Sequence, residues 1–223
     1  MSKLTRVTEL FRRAGAREAA VSLGLMAAAR TLNLRVLQIV SIARGRLEPD
    51  YLKLAPEFEA GFVDEAQLVP YVVANPDLEM TPGFVRDAFS RGDLCYAITC
   101  GGEIASYGWY SNRPTEMFDG LTFHFDRSFT YMYKGYTRPE FRGKRLHAVG
   151  MSRALDAVAS RGFRGLVSFV DRSNVSSLKS VYRMGYERVA KIAIFPVNGS
   201  HRIVRLGGSP ALEVSVQSGA FAV

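Results

Sequence analysis

A chain of 223 residues, 48% of them apolar, is long enough to bury one full core, and it carries a formal charge of +8. Cys95 and Cys100 lie five apart in a β-rich run and so point to opposite faces, while His124, His147 and His201 are scattered. A disulfide scaffold and a metal site are therefore both excluded, a reducing cytoplasm is the expected location, and no nucleic-acid motif accompanies the basic charge.

In chain order, Arg12 and Arg13 precede an apolar run from Ala19 to Ala29 that superficially looks like an export signal. Arg17 and Glu18 interrupt its approach, Arg30 closes it, and it is shorter than the roughly 20 apolar residues a bilayer span needs. An amphipathic helix packed on the domain or on a partner is the expectation for an extension over residues 1–32. Leu34 to Ala43 is β-rich and reads as a first strand. After a Pro-containing stretch, Asp64 to Ala74 and Pro82 to Arg91 read as short helices. Leu94 to Cys100, Gly101-Gly102 and Ile104 to Tyr110 form a hairpin pattern. Residues 111–128, with Asn112, Pro114, Asp119 and Gly120, read as a loop, and Phe129 to Tyr136 as a strand.

A helix is expected from Arg142 to about Ser160. At 100° per residue, Leu146, Gly150, Met151, Ala154, Ala157 and Val158 share one arc, and Arg145, Ser152, Arg153 and Asp156 the other. Gly165 to Val170 is apolar nearly throughout, as in a strand buried on both faces of a parallel pair. Tyr186 to Pro196 and His201 to Leu206 follow as antiparallel edge strands around Asn198-Gly199. The fold class is α/β with a mixed sheet, one domain over residues 33–207, and a tail over 208–223.

Charge is unevenly divided. Residues 51–126 carry a net −8 and residues 127–191 a net +10. The basic stretch contains Tyr136 to Met151, where a strand passes through a basic turn into a helix. The first turn of a helix leaves backbone N–H groups unpaired at the positive end of its dipole, so this turn offers aligned donors to phosphate oxygens. Arg142, Lys144 and Arg145 add mobile charge there. About thirty residues later, Asn174 could cap a second short helix that stops at Gly185 before Tyr186.

The two segments together resemble the GCN5-related N-acetyltransferase (GNAT) superfamily. Its phosphate turn reads Arg or Gln, two residues, Gly, one residue, then Gly or Ala. The match begins at Arg142-Gly143-Lys144 and departs at Arg145 and His147, which stand at the usual small positions. The second family segment starts with Asn and ends in Gly-Phe, here Asn174 and Gly185-Tyr186, with Ser177 at a usually small position. The frequent helix tyrosine falls on Val181, and Tyr182 comes one place late. The resemblance is clear over residues 129–195.

What it implies is a mostly antiparallel central sheet, splayed at one parallel strand pair and flanked by helices. It also implies an acyl-CoA co-substrate, acetyl-CoA or another. Backbone groups of Tyr136 and Thr137 would pair with the pantetheine arm, amides from Arg142 through His147 (Gly143, Lys144 and Arg145 included) would take the pyrophosphate, and Asn174 would cap its helix or touch the cofactor. His147 also lies on the apolar arc, where it reads as a packed histidine. Tyr182 is the candidate donor of a proton to the leaving thiolate. Glu103, Asp126, His124 and Glu140 are open candidates for the general base. The implied activity is N-acyl transfer, with acetyl expected, to a primary amine of a small molecule or amino acid. An acyl carrier protein as donor, a long-chain acyl-CoA, a non-catalytic acyl-CoA-binding module and a homodimer stay open. Tyr107, Trp109, Tyr131 and Tyr133 either line an acceptor cleft or pack as core, and the 111–128 loop, with Asp119 and Asp126 among Phe118, Phe123 and Phe125, is expected as a lid.

Overall fold

The computed structural model describes residues 34–197, 200–208 and 212–218, together with Val21 and Gly24. The helix expected in the N-terminal extension lies outside these but for those two residues, and so does the Asn198-Gly199 turn. In order, the elements are β1 (Arg35–Ala43), β2 (Phe58–Val63), α1 (Glu65–Ala74), α2 (Pro82–Ser90), β3 (Leu94–Cys100), β4 (Glu103–Ser111), β5 (Thr115–Glu116) and β6 (Leu121–Phe125). They continue with β7 (Phe129–Thr137), α3 (Leu146–Ala159), β8 (Gly165–Asp171), α4 (Val175–Arg183), β9 (Glu187–Val197), β10 (Ser200–Gly208) and β11 (Val214–Ser218).

Eight strands pair in the order β10-β9-β1-β8-β7-β4-β3-β2, every neighbour antiparallel except β7 and β8. β1 therefore lies inside the sheet, between β8 and β9. Its continuous apolar run follows from burial on both faces: Leu37 and Ile39 pack on one side, Val40 and Ile42 on the other. Gln38 in the same strand is buried and donates from Nε2 to the Ala190 carbonyl at 2.7 Å.

The helices pack as their patterns predict. α1 starts at a capping box in which Asp64 accepts from Gln67 N at 2.8 Å, and Thr81 caps α2 by accepting from Phe84 N at 3.1 Å. These two helices cover one face at the β3–β4 end, over Trp109 and Tyr107. On the opposite face α3 buries Met151, Ala154, Leu155 and Val158, joined by Leu178 and Val181 of α4.

Three sequence expectations are corrected. Residues 111–128 are not a free loop: β5 and β6 join β11 in a second antiparallel sheet. Leu121, Phe123 and Phe125 alternate inward, and Phe123 packs on Tyr131 at a centroid distance of 4.8 Å, so this segment is core and not a lid. The residues expected as a tail supply β11, whose Val214 and Val216 are buried. β2 was not expected, although Phe58, Ala60 and Phe62 alternate with Glu59 and Gly61 as in a half-buried strand; it forms as the outer strand beside β3. Tyr107, Trp109 and Tyr131 are buried in the core. Among the described residues no helix is long and apolar enough to cross a membrane, and no cluster of His, Cys, Asp or Glu could hold a metal ion.

Candidate active site

The parallel pair is short. β7 and β8 are in register only at Phe129↔Gly165, Thr130↔Leu166 and Tyr131↔Val167, and beyond these they diverge. Ser168 Oγ bridges the apex of the gap by donating to the Met132 carbonyl at 2.9 Å. On β7 the register against β4 steps from Trp109↔Lys134 to Tyr110↔Met132, which leaves Tyr133 as the extra residue of a bulge. The gap holds a cavity of about 240 Å³, lined by Met132, His147, Met151, Ser168, Phe169, Val170 and Asp171 and by Asn174, Ser177, Ser180, Val181 and Met184 of the α4 side. Its floor is apolar, and its polar groups come from β8, α4 and His147.

At the far end of β7, Ser106 Oγ donates to the Tyr136 carbonyl at 2.9 Å and Arg138 N to the Ala105 carbonyl at 3.0 Å. The backbone polar groups of Tyr136 and Arg138 thus face β4, and those of Thr137 between them face the gap, while the Thr137 hydroxyl meets Ser106 Oγ at 2.8 Å. Thr137 O accepts from Arg142 Nε at 3.2 Å. The turn that follows is exposed at Arg142, Gly143, Lys144 and Arg145. Gly143 takes φ 85°, where a glycine is at ease, but Arg145 takes φ 60° and ψ 16°, a left-handed conformation that costs a residue with a Cβ about 1 kcal/mol.

α3 begins without a side-chain cap. Val149 N is the first amide to bond back, to the Arg145 carbonyl at 3.0 Å, so Leu146, His147 and Ala148 present amides with no acceptor inside the helix. His147 joins both parts of the site: its amide belongs to this open turn and its ring lines the cavity. The ring lies against β7, where a Cβ on Gly135 would come within 2.5 Å of His147 Cε1 and of Met132 Cε. Burial pushes its imidazole below the ordinary histidine value, so it is neutral at pH 7.

No family model matches the chain, and no curated protein matches it. Solved structures do. A GCN5-related N-acetyltransferase from Sphaerobacter thermophilus superposes with a TM-score of 0.51 at 17% identity, over 87% of this chain and 59% of that one. A putative acetyltransferase of the GNAT family from Novosphingobium aromaticivorans DSM 12444 gives 0.50 at 17% identity, over 72% of this chain and 62% of that one. The chain has the GNAT fold. It spans about three fifths of the length of each of these relatives.

Within the GNAT fold the remaining sequence candidates fall in different places. Asn174 caps α4, its Oδ1 accepting from Ser177 N at 3.1 Å and Ser176 Oγ at 2.9 Å, and it also lines the cavity. Tyr182 is 38% exposed and does not line the cavity; Val181 takes that place, because one residue turns a helix position by 100°. Glu103 and Glu140 are drawn to Arg138, at 3.4 and 3.8 Å, beyond the end of β7. Asp126 accepts from Ser128 N at 2.8 Å and faces Arg164 at 3.6 Å in a turn, and His124 lies on β6 opposite Ser215.

One buried carboxylate escaped the sequence reading. Asp93 is 2% exposed, and its Oδ2 receives both Arg91 Nη2 and the Tyr133 hydroxyl at 3.0 Å, while Oδ1 has no partner among the described residues. Burial, and next the Asp93 charge, hold the Tyr133 phenol well above its ordinary value, so it stays protonated and donates. Asp93 therefore fixes the bulged residue of β7. Nothing local marks Arg91-Gly92-Asp93 as more than a helix-to-strand turn.

Proposed function

We propose that the chain is an acyl-CoA-dependent N-acyltransferase, with acetyl the expected acyl group and a primary amine of a small molecule or amino acid as acceptor. The observation that carries this is the gap between β7 and β8, with a cavity lined from β7, β8, α3 and α4 and, in the same α3, a first turn whose amides are left open. A long, partly apolar thioester ending in a diphosphate matches that sequence of environments. The gap-facing groups of Thr137 would pair with its amides, and the amides of the α3 turn with Arg142 and Lys144 would take the diphosphate. Direct attack of the amine on the thioester then needs positioning, stabilisation of the developing oxyanion and the transfer of a proton, and the gap provides the positioning.

The outward Tyr182 supports a second reading, a module that binds acyl-CoA without turning it over. Isothermal titration with CoA, acetyl-CoA and longer acyl-CoAs, followed by thiol release across a panel of amines, separates the two. Binding with amine-dependent release is expected; binding without release favours the second reading, and no binding of any of these ligands defeats both.

A further inference from the structure

α1 is apolar on both faces. Leu68 and Val72 turn inward and pack with Val85 and Ala88 of α2, all four buried. Ala66, Val69, Pro70 and Val73 share the opposite arc at 100° per residue, and this arc points outward. Ala66 and Pro70 are exposed, Val69 is half-buried, and Val73, at 66%, is the most exposed large apolar side chain among the described residues. A surface helix ordinarily carries polar residues on its outer face, and a helix apolar all round is ordinarily buried. Here the two helices leave an open groove of about 520 Å³, lined by Glu65, Ala66, Val69 and Pro70 of α1 and by Arg86 of α2.

The walls of the groove carry opposite charges, Glu65 on α1 and Arg86 on α2, and neither side chain has an ion-pair or hydrogen-bond partner among the described residues. Pro70 has no N–H, so the Ala66 carbonyl one turn earlier lacks its donor within the helix. An apolar stripe flanked by an unpaired carboxylate and an unpaired guanidinium is complementary to itself. A two-fold axis sets one surface against an identical one, so that each residue meets its counterpart's partner in both directions. Glu65 then faces Arg86 of the second copy, Arg86 faces Glu65, and the two apolar stripes cover each other. We propose that the outer face of α1, with the groove between α1 and α2, is the surface through which two copies of this chain associate as an isologous dimer. It lies on the face of the sheet opposite α3, so the proposal stands independently of the acyl-transfer reading. Because the stripe spans a single helix of 10 residues, a reversible dimer with a Kd on the order of 10 µM is expected.

Sedimentation velocity of the full chain from about 0.1 to about 100 µM should show a concentration-dependent equilibrium between monomer and dimer. Val73→Glu puts a charge into the stripe and should weaken association at least about 10-fold, with the thermal unfolding midpoint of the monomer unchanged. Glu65→Arg and Arg86→Glu each set like charges face to face and should weaken association about 10-fold, whereas the double variant, with the pair reversed, should return to within about threefold of wild type. A chain that stays monomeric throughout overturns the proposal. So does a dimer that Val73→Glu leaves intact, or a double variant no stronger than the single ones. A monomer that Val73→Glu destabilises would mean that the face is covered within the chain, by residues 1–32, and also overturns it.

Discussion

The two helices that flank the strand gap begin in opposite ways. α4 starts closed, with Asn174 accepting from the Ser177 amide, whereas α3 starts open, at an uncapped Arg145 in a left-handed conformation. α3 can dispense with a cap because it runs from Leu146 to Ala159 and packs Met151, Ala154, Leu155 and Val158 into the main core. α4 spans only Val175–Arg183 and buries Val175, Leu178 and Val181. Packing can hold a helix whose first amides are left for a ligand; a short surface helix needs its end satisfied from within.

That contrast can be broken first at the packing. Leu155→Ala removes a fully buried side chain of α3 and is expected to lower unfolding free energy by about 3 kcal/mol, read from denaturant unfolding. A loss below about 1 kcal/mol would mean that α3 does not rest on its core face. Next comes charge at the open end: Arg142→Glu should weaken CoA binding roughly 10- to 100-fold by isothermal titration, and unchanged affinity would put the diphosphate elsewhere. Asn174→Ala opens the closed helix and should cost about 1 kcal/mol. Arg145→Gly relieves the left-handed residue and should stabilise by about 1 kcal/mol or less; destabilisation would show that the arginine side chain supports the turn.

The smallest effect is one of pH. The folded His147 titrates below the unfolded value near 6.5, so the unfolded state binds more protons in the window between the two. Stability should be flat above that value and fall as pH drops through the window. His147→Gln should show a shallower fall between pH 7 and 5 in thermal unfolding; equal slopes would assign the acid sensitivity to other groups.

What could be read from the sequence was whatever depends on near neighbours. The Asp64 and Asn174 caps, the alternating hairpin strands and the apolar arc of α3 are set by residues within a turn or two of each other. What could not be read depends on distant partners. Phe123 looked like loop because its segment carries Pro114 and Gly120, and only Tyr131 and β11 make it core. Asp93 looks like any turn residue until Tyr133 arrives from forty positions on. At the site, the basic turn and the one-place offset of Tyr182 were readable from residue type and spacing, whereas the seat of His147 against Gly135 required the packing of α3 on β7.

The place of β1 between β8 and β9 bears on how the chain reaches this state. Gln38 meets the Ala190 carbonyl 152 residues further on. During synthesis the apolar first strand must wait until nearly the whole domain has emerged before its partners exist. Its closure is then a late, long-range step that slows folding, and until it occurs a run of β-prone apolar residues stays available to other chains.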